Sequence, residues 1–402
     1  MKLKSNEPFW LVKNGIMNSY PSLQKNISTD IVVVGSGITG SLIAHQCIED
    51  GHNVVVIDRR EVVNGSSSAT TSMLQYEIDT PLHELIEMIG KKGAQDCYKA
   101  CARSIDMLSE ISKKIKSKAG FKKKESLYFA SFKKDLDWLK KEYKARKKAG
   151  FNVKWLSPEE IFKKYQLEQT HGGILSDIGA SVDAYYLAHE LLDYNTKRGL
   201  QIFDKTDIKK IDYSHKKVKI LTEHGFEIKA KKIIFCNGFE SVEIIKDKFV
   251  NLLSTYAIVS EQYDLKTIKK IEKTLVWNTA DPYIYLRTTD DHRILIGGED
   301  EEFVDAEKRD QLLQQKSEKL EKTFKKLFPK TPFITDFGWA GTFGSTKDGL
   351  PYIGTHPNFP SSYFVLGFGG NGITFSVIGM EMVKAFLEKK NHYLSEHFKF
   401  RR

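Results

Sequence analysis

Residues 31–40 read IVVVGSGITG. Four consecutive β-branched residues, Ile31–Val34, predict a strand with both faces covered. It runs directly into Gly35-x-Gly37-x-x-Gly40. Each glycine has a separate reason to lack a side chain: Gly35 for the tight turn after the strand, Gly37 for close approach of a pyrophosphate, and Gly40 for close packing of the following helix on the sheet. Leu42, Ile43, Ala44 and Cys47 then recur at helical spacing. A helix starting here points unpaired N–H groups and its positive dipole end at a phosphate. A second apolar run, Val54–Ile57, ends at Asp58, where a carboxylate can accept hydrogen bonds from a ribose. A GxGxxG alone also arises from packing. The strand before it, the helix after it and the acid at this distance make it a dinucleotide-binding fingerprint.

The rest of the composition narrows the class. The 402 residues are enough for a large core and two domains. No apolar run approaches the roughly 18 residues of a membrane span. The N-terminus, MKLKSNEPFW, lacks the apolar centre of a signal peptide, so a cytoplasmic protein is expected. The net charge of +10 comes mostly from lysine, much of it in Lys122–Lys124 and 133–148. The second stretch also carries Asp135, Asp137 and Glu142, with Leu136, Leu139 and Tyr143 on another face. It therefore reads as a solvated amphipathic helix rather than a nucleic-acid surface. Of the four cysteines, Cys97 and Cys101 lie four apart on a helical apolar stripe and read as buried free thiols. The histidines show no metal-binding spacing, and no metal is expected.

Residues 29–58 predict strand, helix and strand. Leu82–Ile115 reads as helical with a break near Gly90 and Gly93. Ser126–Ser131 reads as a short strand. Ser157-Pro-Glu-Glu160 reads as a capping box with proline at the first helical position. Asp183 is placed to cap a helix ending near Gly199. A meander is expected at Ile208–Tyr213, Val218–Thr222 and Phe226–Ala230. Ile233–Gly238 then reads as a buried strand returning to the parallel sheet. Strands recur at Leu252–Ser260, Tyr283–Arg287 and Ile294–Gly297, before a charged helix over about 305–328. From Thr335 the chain reads as glycine-rich turns and a last helix.

A second glycine-rich helix start distinguishes a flavin from a nicotinamide. Leu366-Gly-Phe-Gly-Gly-Asn-Gly372 precedes an apolar helix, Ile373–Glu388. A reduced flavin carries negative charge at its pyrimidine end, which a helix N-terminus stabilises.

Over nearly its whole length the chain resembles the D-amino acid oxidase-like family of FAD-dependent oxidoreductases, which includes glycine oxidase, sarcosine oxidase and D-amino acid dehydrogenase types. The resemblance rests on Gly35–Gly40, Asp58-Arg59-Arg60, Gly65-Ser-Ser-Ser-Ala69, Cys236-Asn237-Gly238, Asp348-Gly-Leu-Pro-Tyr-Ile-Gly354 and the Gly367–Gly372 turn. It implies an α/β fold, α+β overall: a Rossmann-like FAD-binding domain on a parallel sheet, and a substrate domain on a mixed or antiparallel sheet. The expected division places residues 1–85, 151–245 and 335–402 in the first and residues 86–150 and 246–334 in the second.

The resemblance also implies roles. Gly35, Ser36, Gly37, Ile38, Thr39 and Gly40 would hold the pyrophosphate, and Asp58 the ribose, with Arg59 and Arg60 beside it. Ser66 and Ser67 would lie near phosphate or ribityl groups, and Ile208 at the adenine. Gly238 and Asp348 belong to the same cofactor set. Gly369, Asn371, Gly372, Ile373 and Thr374 would surround the flavin pyrimidine. Some relatives bind FAD covalently, but Gly341 stands where one type carries its cysteine, and residues 65–71 lack histidine. Non-covalent FAD is therefore expected.

On the substrate side the resemblance makes Arg287 the partner of a substrate carboxylate, which its planar fork suits. Tyr285, two residues away on the same strand face, would add a hydroxyl. Gln75 and Tyr76 either border the substrate or pack, and the same two readings apply to Trp339 and Phe343. The expected reaction is oxidation of an amine or amino acid by hydride transfer to flavin, giving an imine that hydrolyses, with oxygen or another acceptor taking the electrons. Three alternatives remain: a dehydrogenase of the same fold passing electrons to a quinone or protein, a nicotinamide dehydrogenase, and a non-enzymatic FAD-binding module. The sequence assigns no oligomeric state.

Overall fold

The computed structural model describes residues 1–402. The strand Ile27–Val34 lies at the centre of a parallel sheet, between Val54–Ile57 and Glu227–Phe235; Gln201–Phe203 pairs beyond Val54–Ile57 and Ser362–Leu366 beyond Glu227–Phe235. Both faces are covered, which is why the run lacks polar alternation. Val33 and Val56 face the helices Ile38–Glu49, Ala184–Thr196 and Gly372–Leu387, while Val32 and Val55 face the meander. Fully burying one such side chain contributes about 1.5–3 kcal/mol, so the central strand is also a main source of stability.

The meander forms as expected from Ile208–Tyr213 and Val218–Thr222, but its third strand does not end at Ala230. Glu227–Phe235 is one nine-residue strand. Its first half pairs antiparallel with the meander and its second half parallel with Ser362–Leu366. The capping box is present, with Glu160 N–H on Ser157 Oγ at 3.2 Å and Ser157 N–H on Glu160 Oε2 at 2.7 Å. The long helical stretch breaks at Gly90, which sits at φ 82°, and Gly93 lies inside the second helix, Lys91–Lys114. All four cysteines are free and buried.

The second sheet is mixed and nine-stranded. Its order is Lys4–Ser5, Thr335–Ser345, Asn251–Ser260, Ile294–Glu301, Ile284–Thr288, Thr274–Asn278, Glu125–Phe129, Gly173–Ser176 and Val153–Leu156. This corrects the expected domain division. Lys4–Ser5, Val153–Leu156, Gly173–Ser176 and Thr335–Ser345 were placed with the dinucleotide domain, yet all belong to the substrate sheet. Thr335–Ser345 misleads because its glycines imitate turn signals. They sit on an extended strand where neighbours approach closely: a Cβ on Gly344 would fall 2.8 Å from the Phe239 ring, and one on Gly338 would fall 3.0 Å from Ser317 Oγ. The largest core cluster joins Val33, Leu42 and Phe375 to Ala257, Tyr128 and Trp339, so a single apolar interior spans both sheets.

Candidate active site

The carboxyl ends of the parallel strands converge on the glycine turn. Gly35 N–H bonds Ile57 O at 2.8 Å, and Cys236 N–H bonds Val34 O at 2.8 Å. Gly35 has φ +99°, and a Cβ on it would fall 2.7 Å from Cys236 O. A Cβ on Gly40 would fall 1.8 Å from Gly35 O, so this glycine lets the helix start touch the strand end. From here a cavity of about 920 Å³ runs between the two sheets. That lies within the range of cofactor and ligand sites, and ligands bind at this edge of an open parallel sheet.

One end of the cavity is built by the fingerprint. Gly35, Gly37, Ile38, Thr39, Asp58, Arg59, Arg60, Ser66 and Ser67 line it, as do Ile208 and Gly238. Ser36 and Gly40 stand behind this wall. Asp58 is the organiser: Oδ2 accepts from Ser36 N at 2.8 Å and Ser36 Oγ at 2.6 Å, and Oδ1 accepts from Arg60 N at 3.0 Å. Burial raises its pKa and these bonds oppose the rise. Ser67 Oγ accepts from Ile38 N at 2.8 Å, at the opening of the first helix. Arg59 and Arg60 are held by Glu240, which three-residue turn Gly238–Glu240 brings to the rim; Arg60 Nη1 lies 3.0 Å from Glu240 Oε2.

The other end is built by the second glycine-rich turn. Gly369, Asn371, Gly372 and Ile373 line the cavity. Thr374 lies beneath, its hydroxyl donating to Asn371 O at 2.9 Å. Asn371 Nδ2 donates to Gln75 O at 2.9 Å, which brings Gln75 into the wall. Tyr76 points the other way and stacks on Phe151 in the core, with ring centroids 4.7 Å apart. Tyr285, Trp339 and Phe343 also face the cavity. Trp339 is 1% exposed and donates to Ala69 O at 2.8 Å, so it packs and walls at once.

Two expected site residues lie elsewhere. Asp348 pairs with Arg402, Oδ2 to Nε at 2.7 Å and Oδ1 to Nη2 at 2.8 Å, and does not reach the cavity. Arg287 is also outside it. Its guanidinium donates to Thr71 O at 2.6 Å and Val182 O at 3.1 Å, and lies 5.2 Å from the Trp10 ring centroid. The N-terminal helix Phe9–Asn14, which the sequence reading missed, places Trp10 there. Tyr285 and Arg287 do share a strand face, but that face extends past the cavity and under Trp10.

Residues that sequence reasoning missed line the inner chamber: Glu77, Asp79, Tyr128, Trp277, Tyr283 and Asp300. Tyr128 and Trp277 stack face to face at 3.6 Å, on neighbouring parallel strands. Asp79 accepts from Gly370 N at 3.1 Å. Burial and mutual repulsion push Asp79 up to about 6, and burial pushes Asp300 to about 6. Only their nearness in sequence to Gln75 and to the Gly297-Gly298 hairpin marked these acids.

Comparison with known proteins assigns the family. The model of the FAD-dependent oxidoreductases (DAO) matches residues 30–385. The chain belongs to this family. Its cofactor is accordingly FAD, and the two bare glycine-rich helix starts facing one cavity fit that molecule's pyrophosphate and its flavin. Among relatives, glycine oxidase of Geobacillus kaustophilus is 22% identical over 90% of this chain and 93% of its own. Its crystal structure superposes with a TM-score of 0.77 at 19% identity, covering 93% of this chain and 99% of that one. L-proline dehydrogenase from P. horikoshii has the same fold, with a TM-score of 0.77 at 18% identity over 94% of this chain and all of that one. A Bacillus subtilis protein named as a Rieske 2Fe-2S iron-sulfur protein, YhfW, is 24% identical over 58% of this chain; the match spans only 44% of that relative. No helix is long and apolar enough to cross a membrane.

Proposed function

We propose that this flavoprotein oxidises an amine or amino acid, releasing an imine that water hydrolyses. The observation that supports it is a single cavity. It passes both helix starts and ends in a chamber walled by Gln75, Tyr283 and Tyr285 beside the Gly369–Ile373 turn. Bound FAD supplies the two-electron chemistry. The chain's own residues orient and enclose. Gly37 and Ser67 receive the phosphates, Asp58 fixes the glycine turn beside the ribose, and Asn371 and Gly372 set the flavin edge against the chamber. Aromatic side chains exclude water from the substrate carbon, and holding that carbon in reach replaces an encounter from solution. The FAD is held non-covalently, because no cysteine or histidine lines the cavity except Cys236, which is buried against the glycine turn.

Purified protein should be yellow, release its flavin on acid denaturation, and bleach under anaerobic conditions with a reducing amine. Flavin that no amine or amino acid bleaches would overturn the reading in favour of a binding module. Stopped-flow reoxidation by oxygen then separates an oxidase from a dehydrogenase using another acceptor.

A further inference from the structure

The inner chamber is acidic and contains no cation. The lysines and arginines that line the cavity are Arg59, Arg60, Lys209 and Lys210, all at the fingerprint end. They follow the strand Val54–Ile57 or lie on Ile208–Tyr213, strands of the parallel sheet. At the other end the ionisable carboxyls are Glu77, Asp79 and Asp300. The candidate counter-charges are already engaged: Lys316, the cation that acts on Asp300, pairs with Glu299 and Glu301. Arg287 is held by backbone carbonyls behind the wall, and Arg146 lies between Glu142, at 2.6 Å, and Glu77, at 3.2 Å.

Two of the three carboxyls have an oxygen without a partner. Glu77 is 4% exposed and its Oε2 accepts no hydrogen bond; Asp300 Oδ1 is also buried and unpartnered. A buried acceptor without a donor is destabilising, so these atoms suit a donor that arrives with the ligand. Around them stand the stacked pair Tyr128–Trp277 and the pair Tyr283–Tyr285, with ring centroids 5.7 Å apart. Aromatic faces attract a cation and offer nothing to a carboxylate.

We infer that the site takes an aliphatic amine with a second, distal positive charge and no carboxylate beside the reacting carbon, a diamine in the simplest case. This rests on the reading as an FAD-dependent amine oxidoreductase and names its substrate class. Asp300 and Asp79 receive the distal ammonium, with the tyrosines flanking the methylene chain. At the reacting end the C–H bond breaks and its electron pair passes as hydride to the bound flavin. The nitrogen loses a proton to water and the C=N bond forms. Water then adds to that carbon and the C–N bond breaks, giving an amino aldehyde and ammonia from a diamine. A substrate carboxylate would meet like charge in this chamber and no cation to pair with, a mismatch that costs affinity.

The test uses holoprotein under anaerobic conditions, with four probes: 1,4-diaminobutane, butylamine, glycine and N-methylglycine. The diamine should bleach the flavin with half-saturation about tenfold or more below that of butylamine, the value of one charged hydrogen bond. The amino acids should be the poorest reductants. Asp300→Asn should raise the half-saturation for the diamine about tenfold and leave butylamine within about threefold, with the limiting rate little changed. Asp79→Asn should also raise the half-saturation for the diamine, with the flavin spectrum reporting that the cofactor is still seated. Faster bleaching by glycine or N-methylglycine than by the diamine would overturn the substrate class and leave the amine reading standing. Equal effects of both variants on diamine and butylamine would overturn the role of the two carboxyls. Bleaching by none of the four would overturn this inference, while the amine reading falls only if a wider set of amines and amino acids also fails.

Discussion

Arg287 shows how a residue can be correctly typed and wrongly placed. A planar guanidinium on a hairpin strand two positions after a cavity tyrosine is a reasonable carboxylate partner. Instead its donors satisfy Thr71 O, Val182 O and Thr288 O, and Trp10 covers it. Burial pulls the guanidinium down to about 10, so it remains charged at neutral pH. Its work is to tie the segment after the serine-rich turn to the substrate sheet. Arg287→Ala should therefore destabilise the fold by about 1–3 kcal/mol for each buried carbonyl left unpaired. It should slow flavin reduction by carboxylated and uncarboxylated amines alike. Urea denaturation and anaerobic bleaching check the two parts, and a selective loss with carboxylated substrates would restore the catalytic assignment. The signal that places Arg287 is three-dimensional: nothing in FWLVKN indicates that this short helix packs against residues 287 and 337.

At the scale of elements, the sequence was legible wherever the local pattern had one explanation. The fingerprint strand, its helix, the Ser157 capping box, the Asp183 cap and the first two strands of the meander all appear where periodicity and end signals put them. What was not legible is which sheet a strand joins. Val153–Leu156 and Gly173–Ser176 carry no mark of their partner, and the glycines of Thr335–Ser345 serve close approach rather than turning. Gly40 in the helix Ile38–Glu49 and Gly51 just after it separate these two uses. Gly40 sits against Gly35 O, whereas Gly51, at φ 82°, has nothing within 4 Å of a built Cβ. Gly51→Ala should cost only about 1–2 kcal/mol, the left-handed backbone penalty. Gly40→Ala must push the helix off the strand end and should abolish FAD binding. Thermal melts and FAD titration of the two variants test this, and normal FAD affinity in Gly40→Ala would show that the helix start is not fixed by that contact.

Asp348 is the element-scale counterpart of Arg287. The Asp348-Gly-Leu-Pro turn was read as part of the cofactor site, but its carboxylate holds Arg402, the last residue of the chain, and accepts from Leu350 N at 3.1 Å. The side chains are 3% and 7% exposed, and Arg402 stacks 3.9 Å from the Tyr352 ring centroid. Despite the opposing effect of burial, Arg402 and Leu350 N–H hold the Asp348 carboxyl below its ordinary 3.8. The stabilisation is thus fully present above pH about 4 and lost as pH falls through the lower folded value. Asp348→Ala should lower stability at pH 7 by about 3–5 kcal/mol, the cost of breaking a buried pair, and leave FAD affinity of the folded protein unchanged. The gap from wild type should narrow in acid. A constant gap across that range, or a loss of FAD affinity, would return Asp348 to the cofactor site.

At the scale of the whole molecule, the cavity is a place where both sheets contribute walls without filling the space between them. The parallel sheet supplies Gly35, Asp58 and Ile208, and the substrate sheet supplies Trp277, Tyr285 and Thr342. A molecule that contacts the fingerprint at one end and the Gly369–Ile373 turn at the other adds links between layers joined elsewhere by the shared core. FAD therefore acts on global stability as well as chemistry. Because it binds the folded chain and finds no such cavity in the unfolded one, FAD at a hundred times its dissociation constant should add about 2.7 kcal/mol to the unfolding free energy. The cofactor is removed by mild chaotrope and dialysis, and urea midpoints are compared for the stripped protein, the reconstituted protein and reconstituted Asp58→Ala. The reconstituted protein should unfold at higher urea, and the variant should need more FAD to reach the same midpoint, because its glycine turn has lost the carboxylate that orders Ser36 and Arg60. A midpoint indifferent to FAD would mean that the folded chain does not bind the cofactor in preference to the unfolded one, and would overturn the cofactor site.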